Sequence, residues 1–270
     1  MSQSNSSDNT FWGHLEVFRW VIIRSLLVLT AVAIGAFCFK DFLFNGLVLA
    51  PMRQDFITYR GLCWLASATG MPDLCPDISQ VELININLAS QFFIHMEMAG
   101  VVALVVTFPY LITELWLFVK PALYQKERGA AVSGVVSFVL LFFAGVAVSY
   151  FIIFPLTLNF LGNYQVSEAV ANQISLNSYI SSFLSLMFMM GVVFEMPVVA
   201  YFFARIGVLK SSLLKRYRKI AIVVIMILAA VITPSGDAFT MMMVVVPLML
   251  LYELSTGVVR RVESRRADRE

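Results

Sequence analysis

A single carboxyl group stands in the middle of an apolar run. Glu195 stands in GVVFEMPVVA, and no other charged residue occurs between Phe183 and Phe203. An ionised side chain at such a depth in a membrane costs about 2.5–3.5 kcal/mol on insertion scales, so an intramembrane carboxyl group is a candidate functional site. In its protonated form it could donate a hydrogen bond to a partner helix. Three polar side chains of the same chain are the alternative partners: Thr107, Ser149 and Ser185.

Two further carboxylates lie among aromatic and basic residues that flank apolar runs. Glu16 and Arg19 are three residues apart in FWGHLEVFRW, and Glu127 lies in ELWLFVKPALYQKERG, residues 114–129. Because carboxylates accept bidentate hydrogen bonds from guanidinium groups, these segments are candidate sites for arginine. The alternative is that Glu16 pairs with Arg19, and Glu127 with a neighbouring basic residue, as exposed ion pairs that contribute little.

The sequence contains none of the common motifs of enzyme chemistry, such as a P-loop, a Rossmann glycine fingerprint, HExxH or GxSxG. His14 and His95 are predicted to lie near opposite membrane faces, so they cannot share a metal ion. We therefore expect no enzyme activity, no cofactor and no metal site. Cys63 and Cys75 are twelve residues apart in the loop 40–91, where an oxidising compartment would allow a disulfide.

The composition predicts an all-α membrane protein. Of the 270 residues, 60% are hydrophobic and 13% are charged, against about 25% charged residues in soluble domains. Repeated apolar runs near the ~20-residue spanning length indicate several transmembrane helices. Pro109 is predicted to break or bend the second of them. We expect six spans, the last two of them short: 20–39, 92–118, 131–154, 178–204, 220–232 and 238–254.

The basic residues are distributed unevenly over the predicted loops. Of the 19 Lys and Arg, three lie in the loop after the first span, and the other 16 fall on the opposite side. The positive-inside rule therefore places both termini in the cytoplasm. The basic run 209–219 is expected to contact anionic lipids. The predicted organisation is a disordered tail (1–10), a six-helix membrane domain (11–256) and a flexible basic cytoplasmic tail (257–270).

Five motifs occur in a recognisable order: HLEVFR, FPYLITELWLFVKPALYQKER, YFIIFPL, FEMP and ITPSGD. Together they resemble TatC, the core membrane subunit of the twin-arginine protein translocase, from about Phe11 to Leu254. The resemblance implies a glove-like bundle in a bacterial-type inner membrane. It implies a receptor that binds twin-arginine signal peptides and recruits TatA- and TatB-type subunits to export folded proteins with the protonmotive force. Self-association and contact with membrane lipids are expected as well, and nucleic acid is not.

The same resemblance suggests a signal-peptide site. Glu127 matches the arginine-recognising glutamate of the family. The surrounding loop positions match too: Phe118, Pro121 and Tyr124. The N-terminal motif of the family usually carries two glutamates, and this chain keeps the first as Glu16 and the following arginine as Arg19. Val17 stands where the second glutamate is expected. Glu16 is a candidate substitute, although its side chain points about 100° away on a helix.

The remaining motifs suggest a docking position and two structural residues. Glu195 matches a family glutamate that faces a concave surface and helps to dock the transmembrane helices of TatA and TatB. Met241 stands where family members often carry a polar residue. Asp237 is predicted to cap the last helix, and Pro51 to shape the first extracytoplasmic loop.

Two other classes of protein fit part of the pattern. A proton- or cation-coupled secondary transporter would use Glu195 as its coupling site, but it also predicts an inverted repeat, and the second half of the chain does not resemble the first. A membrane scaffold without transport activity would leave the arginine-binding loop unexplained. The sequence therefore favours the translocase receptor.

Overall fold

The chain is mostly helical. The structure, a computed structural model, describes residues 6–71, 75–76, 82–119, 128–165, 167, 172–233 and 236–267. These ranges contain ten α-helices: α1 (Ser6–Cys38), α2 (Ile57–Thr69), α3 (Ser90–Val119), α4 (Arg128–Val148), α5 (Phe154–Asn163), α6 (Leu176–Val193), α7 (Met196–Ile206), α8 (Ser211–Arg216), α9 (Arg218–Ile232) and α10 (Ala238–Ala267). Shorter helical segments are π-helical at Phe42–Val48 and Ser149–Ile153 and 3-10 at Ala50–Met52. Two strands, β1 (Glu82–Ile84) and β2 (Gln173–Ser175), pair in parallel.

The helices form two compact units. One comprises Met1–Lys40 and His95–Val139, and the other comprises Asp41–Ile94 and Leu140–Glu270. The core of the second unit is aromatic: the ring of Phe154 meets those of Tyr179 and Phe183 edge-on, with centroids 5.2 and 5.0 Å apart. Such edge-to-face pairs add to the free energy of apolar burial.

Several elements are long and apolar enough to cross a membrane. In the described part of the chain there are five: Leu15–Cys38, Ser90–Phe118, Gly134–Asn163, Leu176–Ile206 and Ala238–Arg265. This confirms the predicted helical, multi-span architecture. The sixth span stays a prediction, because α9 has 15 residues. Its length of about 22 Å is less than the ~30 Å of a hydrocarbon core.

Both ends of the chain are more helical than expected. α10 has 30 residues, so the prediction that the last helix is short is wrong. α10 continues to Ala267, and α1 begins at Ser6. A formed helix extends readily because each added residue gains a hydrogen bond without a new nucleation cost.

Packing explains why α10 continues past its apolar stretch. Val259 is fully buried against Ala200 and Ala204 of α7. One turn further, the Glu263 carboxylate accepts hydrogen bonds from Ser211 at the start of α8, one of them from the backbone N–H at 3.0 Å. Apolar residues at helical spacing therefore anchor a segment whose charge content alone suggested a solvated end.

The prolines act differently in two spans. α3 runs through Pro109 as one helix, and the Thr113 hydroxyl donates to the Pro109 carbonyl at 2.7 Å. The predicted break at Pro109 is therefore absent, although Pro109 lies inside the helix. The fourth span does break, because α6 ends at Val193 and α7 begins with Pro197 in its first turn. Proline fits that position because the first-turn N–H would have no helical partner.

Tyr59 anchors the segment between α1 and α3. Its hydroxyl donates to the carbonyl oxygens of Pro51 at 3.0 Å and Pro155 at 3.1 Å, and its side chain is 1% exposed. Burial raises the pKa of Tyr59. Cys63 and Cys75 form a disulfide that ties α2 to the residues after it. The buried Pro51 lies in the 3-10 turn that Tyr59 holds in place.

Replacement of Tyr59 by phenylalanine should destabilise the protein by about 1–2 kcal/mol, because it keeps the ring but removes the donor from two carbonyl groups. Thermal denaturation of the purified protein in detergent measures this. The control is Tyr164→Phe, since the Tyr164 ring is exposed and its hydroxyl forms no hydrogen bond within the described residues. Equal losses in the two variants would contradict the anchoring role.

Candidate functional site

In the first unit, two aromatic contacts join α1 and α3. The rings of Phe18 and Phe118 have centroids 5.3 Å apart, and those of Phe37 and His95 are stacked at 4.0 Å. Residue numbers rise along α1 as they fall along α3, so the helices run in opposite directions. Phe118, predicted to belong to the signal-peptide site, therefore packs on the N-terminal helix that carries Glu16 and Arg19.

A hydrogen-bonded polar pair lies on α3. The Tyr110 hydroxyl donates to Glu114 Oε1 at 2.8 Å, and the Glu114 side chain is only 8% exposed. The sequence pattern does not single out Glu114, which falls near the end of the predicted span 92–118. The signal that it missed is spacing, because Tyr110, Glu114 and Phe118 are four residues apart and share one face of α3.

A groove of about 400 Å³ lies against α1. Its lining includes one face of α1: Glu16, Val17, Trp20, Val21 and Arg24. No ion pair forms between Glu16 and Arg19, both of which the structure describes. A carboxylate and an indole ring in one groove suit a cation, which is attracted by both the charge and the aromatic face.

Part of the predicted signal-peptide site lies outside the described residues. Pro121, Tyr124 and Glu127 fall in the undescribed segment 120–127, so their roles stay predictions. Within the described ranges, no group of three His, Cys, Asp or Glu side chains is placed to hold a metal ion.

Glu195 lies at the break between α6 and α7, in the second unit. Its backbone carbonyl accepts hydrogen bonds from the N–H groups of Val198 and Val199, and these bonds begin the hydrogen-bonding pattern of α7. Its side chain is 7% exposed, and neither carboxyl oxygen has a hydrogen-bond partner among the described residues, although the Phe142 backbone is close. Buried polar groups normally have partners, and one without costs free energy. The carboxyl group is therefore a candidate for a partner from outside the chain.

The three internal partners predicted for Glu195 do not bond to it. Thr107 donates to the Ala103 carbonyl at 2.7 Å, and Ser185 donates to the Ile232 carbonyl at 3.2 Å. The Ser149 hydroxyl is buried and has no partner in the structure. The alternative of an internal hydrogen bond to one of these residues therefore has no support in this geometry.

Two glycines let α4 approach the helix break closely. A Cβ atom on Gly145 would lie 2.5 Å from the Met190 carbonyl oxygen and 2.8 Å from the Phe194 ring. A Cβ atom on Gly191 would lie 2.6 Å from the Phe142 ring. Small residues at such crossings allow helix backbones to pack tightly within membranes. This packing surrounds the break and buries Glu195.

Asp237 lies at the start of α10. Its Oδ1 accepts a hydrogen bond from the Thr240 backbone N–H at 2.7 Å, which is the geometry of an N-cap. Met241, next in the chain, is half-buried.

The chain is similar over nearly its whole length to proteins of one family. Residues 13–247 match the family described as Sec-independent protein translocase protein (TatC). A protein of that name from Blattabacterium sp. subsp. Periplaneta americana is 31% identical over 258 residues, which cover 94% of this chain and 96% of the relative. The Aquifex aeolicus protein is 34% identical over 243 residues, or 90% and 91% of the two chains.

Solved structures agree with these matches. Two crystal structures described as Twin Arginine Translocase Receptor- TatC, one of them in DDM, superpose with TM-scores of 0.71 and 0.73. They are 28% and 29% identical to this chain. The superpositions cover 93% and 90% of this chain, and 99% and 98% of the solved chains.

Gly145→Ala should destabilise the second unit by about 1–3 kcal/mol, because its methyl group would overlap the Met190 carbonyl, which belongs to the backbone and cannot move aside cheaply. Thermal denaturation provides the measurement. The matched control is Gly257→Ala in α10, where a Cβ atom meets nothing within 4 Å. This control should gain up to about 1 kcal/mol from helix propensity. Similar melting temperatures for the two variants would refute the close packing.

Proposed function

Because the chain belongs to the TatC family, we propose that it is the core receptor subunit of a twin-arginine translocation system. In this role it binds twin-arginine signal peptides and recruits TatA- and TatB-type subunits that export folded proteins. The observation that carries the proposal is the family match over residues 13–247. A secondary transporter centred on Glu195 has no comparable support.

The signal-peptide site comprises the N-terminal segment and the loop after α3. Glu127 is the main arginine-binding carboxylate, and Pro121 and Tyr124 shape the loop around it. Phe118, Glu16 and Arg19 complete the site. The contact between Phe118 and Phe18 supports this grouping, because it links the end of α3 to the N-terminal helix.

Glu195 is the docking point for partner helices within the membrane. Its buried carboxyl oxygens without partners support this role, since a polar side chain from a TatA- or TatB-type helix would remove the cost of burying them. The break between α6 and α7 also interrupts the regular helix beside Glu195.

The protein belongs to a bacterial-type inner membrane, with six spans in a glove-like bundle and both termini in the cytoplasm. The uneven distribution of Lys and Arg supports this orientation. The basic run 209–219 then faces anionic lipids. The protonmotive force supplies the energy, and copies of the receptor associate during transport.

Signal-peptide binding is tested by photocrosslinking. A synthetic signal peptide with a photoreactive group beside the arginine pair should crosslink to the purified protein in nanodiscs near Glu127. A peptide with two lysines in place of the arginines should crosslink far less, because lysine cannot form bidentate hydrogen bonds. Glu127→Ala should abolish the crosslink. Glu16→Ala in the same series measures how much the Glu16 carboxylate contributes to peptide binding. Equal crosslinking of the two peptides would refute the receptor function.

Partner docking is tested with Glu195→Leu, which keeps the side-chain size and removes the polar group. We expect this variant to lose co-purifying TatA- and TatB-type subunits. It should also melt at a higher temperature, because a buried polar group without a partner has been removed. Glu253→Gln is the control, since Glu253 is exposed and paired with Arg218 at 2.6 Å. Normal recovery of both subunits with Glu195→Leu would rule out the docking role.

A further inference from the structure

One face of α2 is apolar and exposed. Trp64 exposes 70% of its surface and Ile57 exposes 66%, and Leu65 is exposed as well. Ile57 and Trp64 are seven residues apart, about two turns, so they lie on the same side of the helix, and Leu65 lies beside Trp64. The exposed Met71 follows directly after the Gly70 C-cap. These apolar side chains form a stripe along α2.

The opposite face holds α2 in place. Tyr59 lies about 200° around the helix from Ile57, and both Tyr59 and Ala66, seven residues later, are buried. The Tyr59 hydroxyl donates to two backbone carbonyls outside α2. The disulfide between Cys63 and Cys75 ties the helix to the residues that follow it. The apolar stripe therefore belongs to an anchored helix, whose buried side is already filled.

The first turn of α2 lies against the spanning element 134–163. The Phe56 ring, directly before α2, stacks on the Phe151 ring with centroids 5.9 Å apart, and the Thr58 hydroxyl donates to the Phe151 carbonyl. Phe151 and Ile152 are themselves exposed on that element. Exposed apolar side chains on a membrane-spanning helix face lipid. The stripe on α2 therefore begins beside a lipid-facing surface.

The polar groups of α2 suit a contact with lipid. Ser67 donates to the Trp64 carbonyl at 2.7 Å, and Thr69 donates to the Leu65 carbonyl at 2.8 Å. The other two hydroxyl groups, both in the first turn, donate to carbonyls outside the helix. Hydroxyl groups that are paired within the chain do not need water. Arg60 is the one charged residue of α2, and its long side chain can reach the phosphate level from an apolar surface.

We propose that α2 is an interfacial helix whose stripe of Ile57, Trp64 and Leu65 lies in the lipid surface on the side where α5 ends. Trp64 sits at the boundary between acyl chains and head groups, which tryptophan favours. Lipid fits the stripe better than a protein partner does, because a standard protein interface uses about 20–30 residues on each side. This inference does not rest on the proposed function.

The test measures the fluorescence of Trp64 in nanodiscs. The variant Trp12→Phe/Trp20→Phe/Trp116→Phe leaves Trp64 as the single tryptophan. It is placed in lipids that carry bromine either near the head group or near the end of the acyl chain. We expect bromine near the head group to quench Trp64 more strongly than bromine at the chain end. Iodide added to the water should quench it weakly.

Two control positions calibrate the quenching, each in the same background with Trp64→Phe. Ile152→Trp reports a lipid-facing position on the neighbouring span, since Ile152 is exposed there. Gln173→Trp reports a water-facing position, because Gln173 is exposed on β2 and pairs with Glu82 of β1. Bromolipids should quench only the first control, and iodide should quench mainly the second.

The controls give each result for Trp64 a definite meaning. Bromolipid quenching as strong as that of Ile152→Trp supports the interfacial position. Iodide quenching as strong as that of Gln173→Trp, without an effect of bromine, places the stripe in water and overturns the inference. Protection from both quenchers shows that protein, such as a second copy of the chain, covers the stripe, and this also overturns it.

A second measurement needs no substitution. The unmodified protein in nanodiscs is irradiated with a lipid that carries a photoreactive group on its acyl chain, and crosslinked residues are located by tandem mass spectrometry. We expect crosslinks in the segment 57–71 as well as at Phe151 and Ile152. Crosslinks at Phe151 and Ile152 without any in the segment 57–71 would overturn the inference.

Discussion

The high cost of a carboxyl group among apolar helices is the constraint on which this structure depends. Two such groups are buried among the described residues of the apolar spans, and their surroundings differ. Glu114 receives a hydrogen bond from Tyr110. Neither carboxyl oxygen of Glu195 has a hydrogen-bond partner among the described residues, although the Phe142 backbone is close. The first arrangement stabilises a carboxylate in place, and the second leaves a polar group whose cost a partner can remove.

Helix breaks and close glycine contacts create the setting of Glu195. Pro197 lies in the first turn of α7 and has no backbone N–H to continue the hydrogen bonding of α6, so the regular helix is interrupted at Phe194 and Glu195. Gly145 allows the α4 backbone to approach the Met190 carbonyl, which leaves no room for a larger residue. The buried carboxyl group therefore lies beside a closely packed helix crossing.

The C-terminal helix gives the second unit an additional clamp. Val259 packs on α7, while Glu263 holds the first residue of α8. Tyr252 donates to the Leu214 carbonyl at 2.6 Å, so α10 contacts the α7–α9 connection at more than one height. A few apolar and charge-assisted contacts therefore hold the basic end of α10 against the rest of the second unit.

The sequence by itself determined the membrane class, most spans and the family, because apolar run length, basic-residue distribution and motif order are local properties. It also identified Glu195 as a candidate functional residue, Asp237 as a helix cap and Val17 as a departure from the family motif. Only the tertiary structure decided that α3 passes through Pro109, that residues 257–267 are helical and that Glu114 is buried beside Tyr110. These outcomes depend on contacts between residues distant in sequence or on different helix faces. Packing sets how deeply a side chain is buried and which groups it bonds to, and a linear pattern of residues does not contain this information.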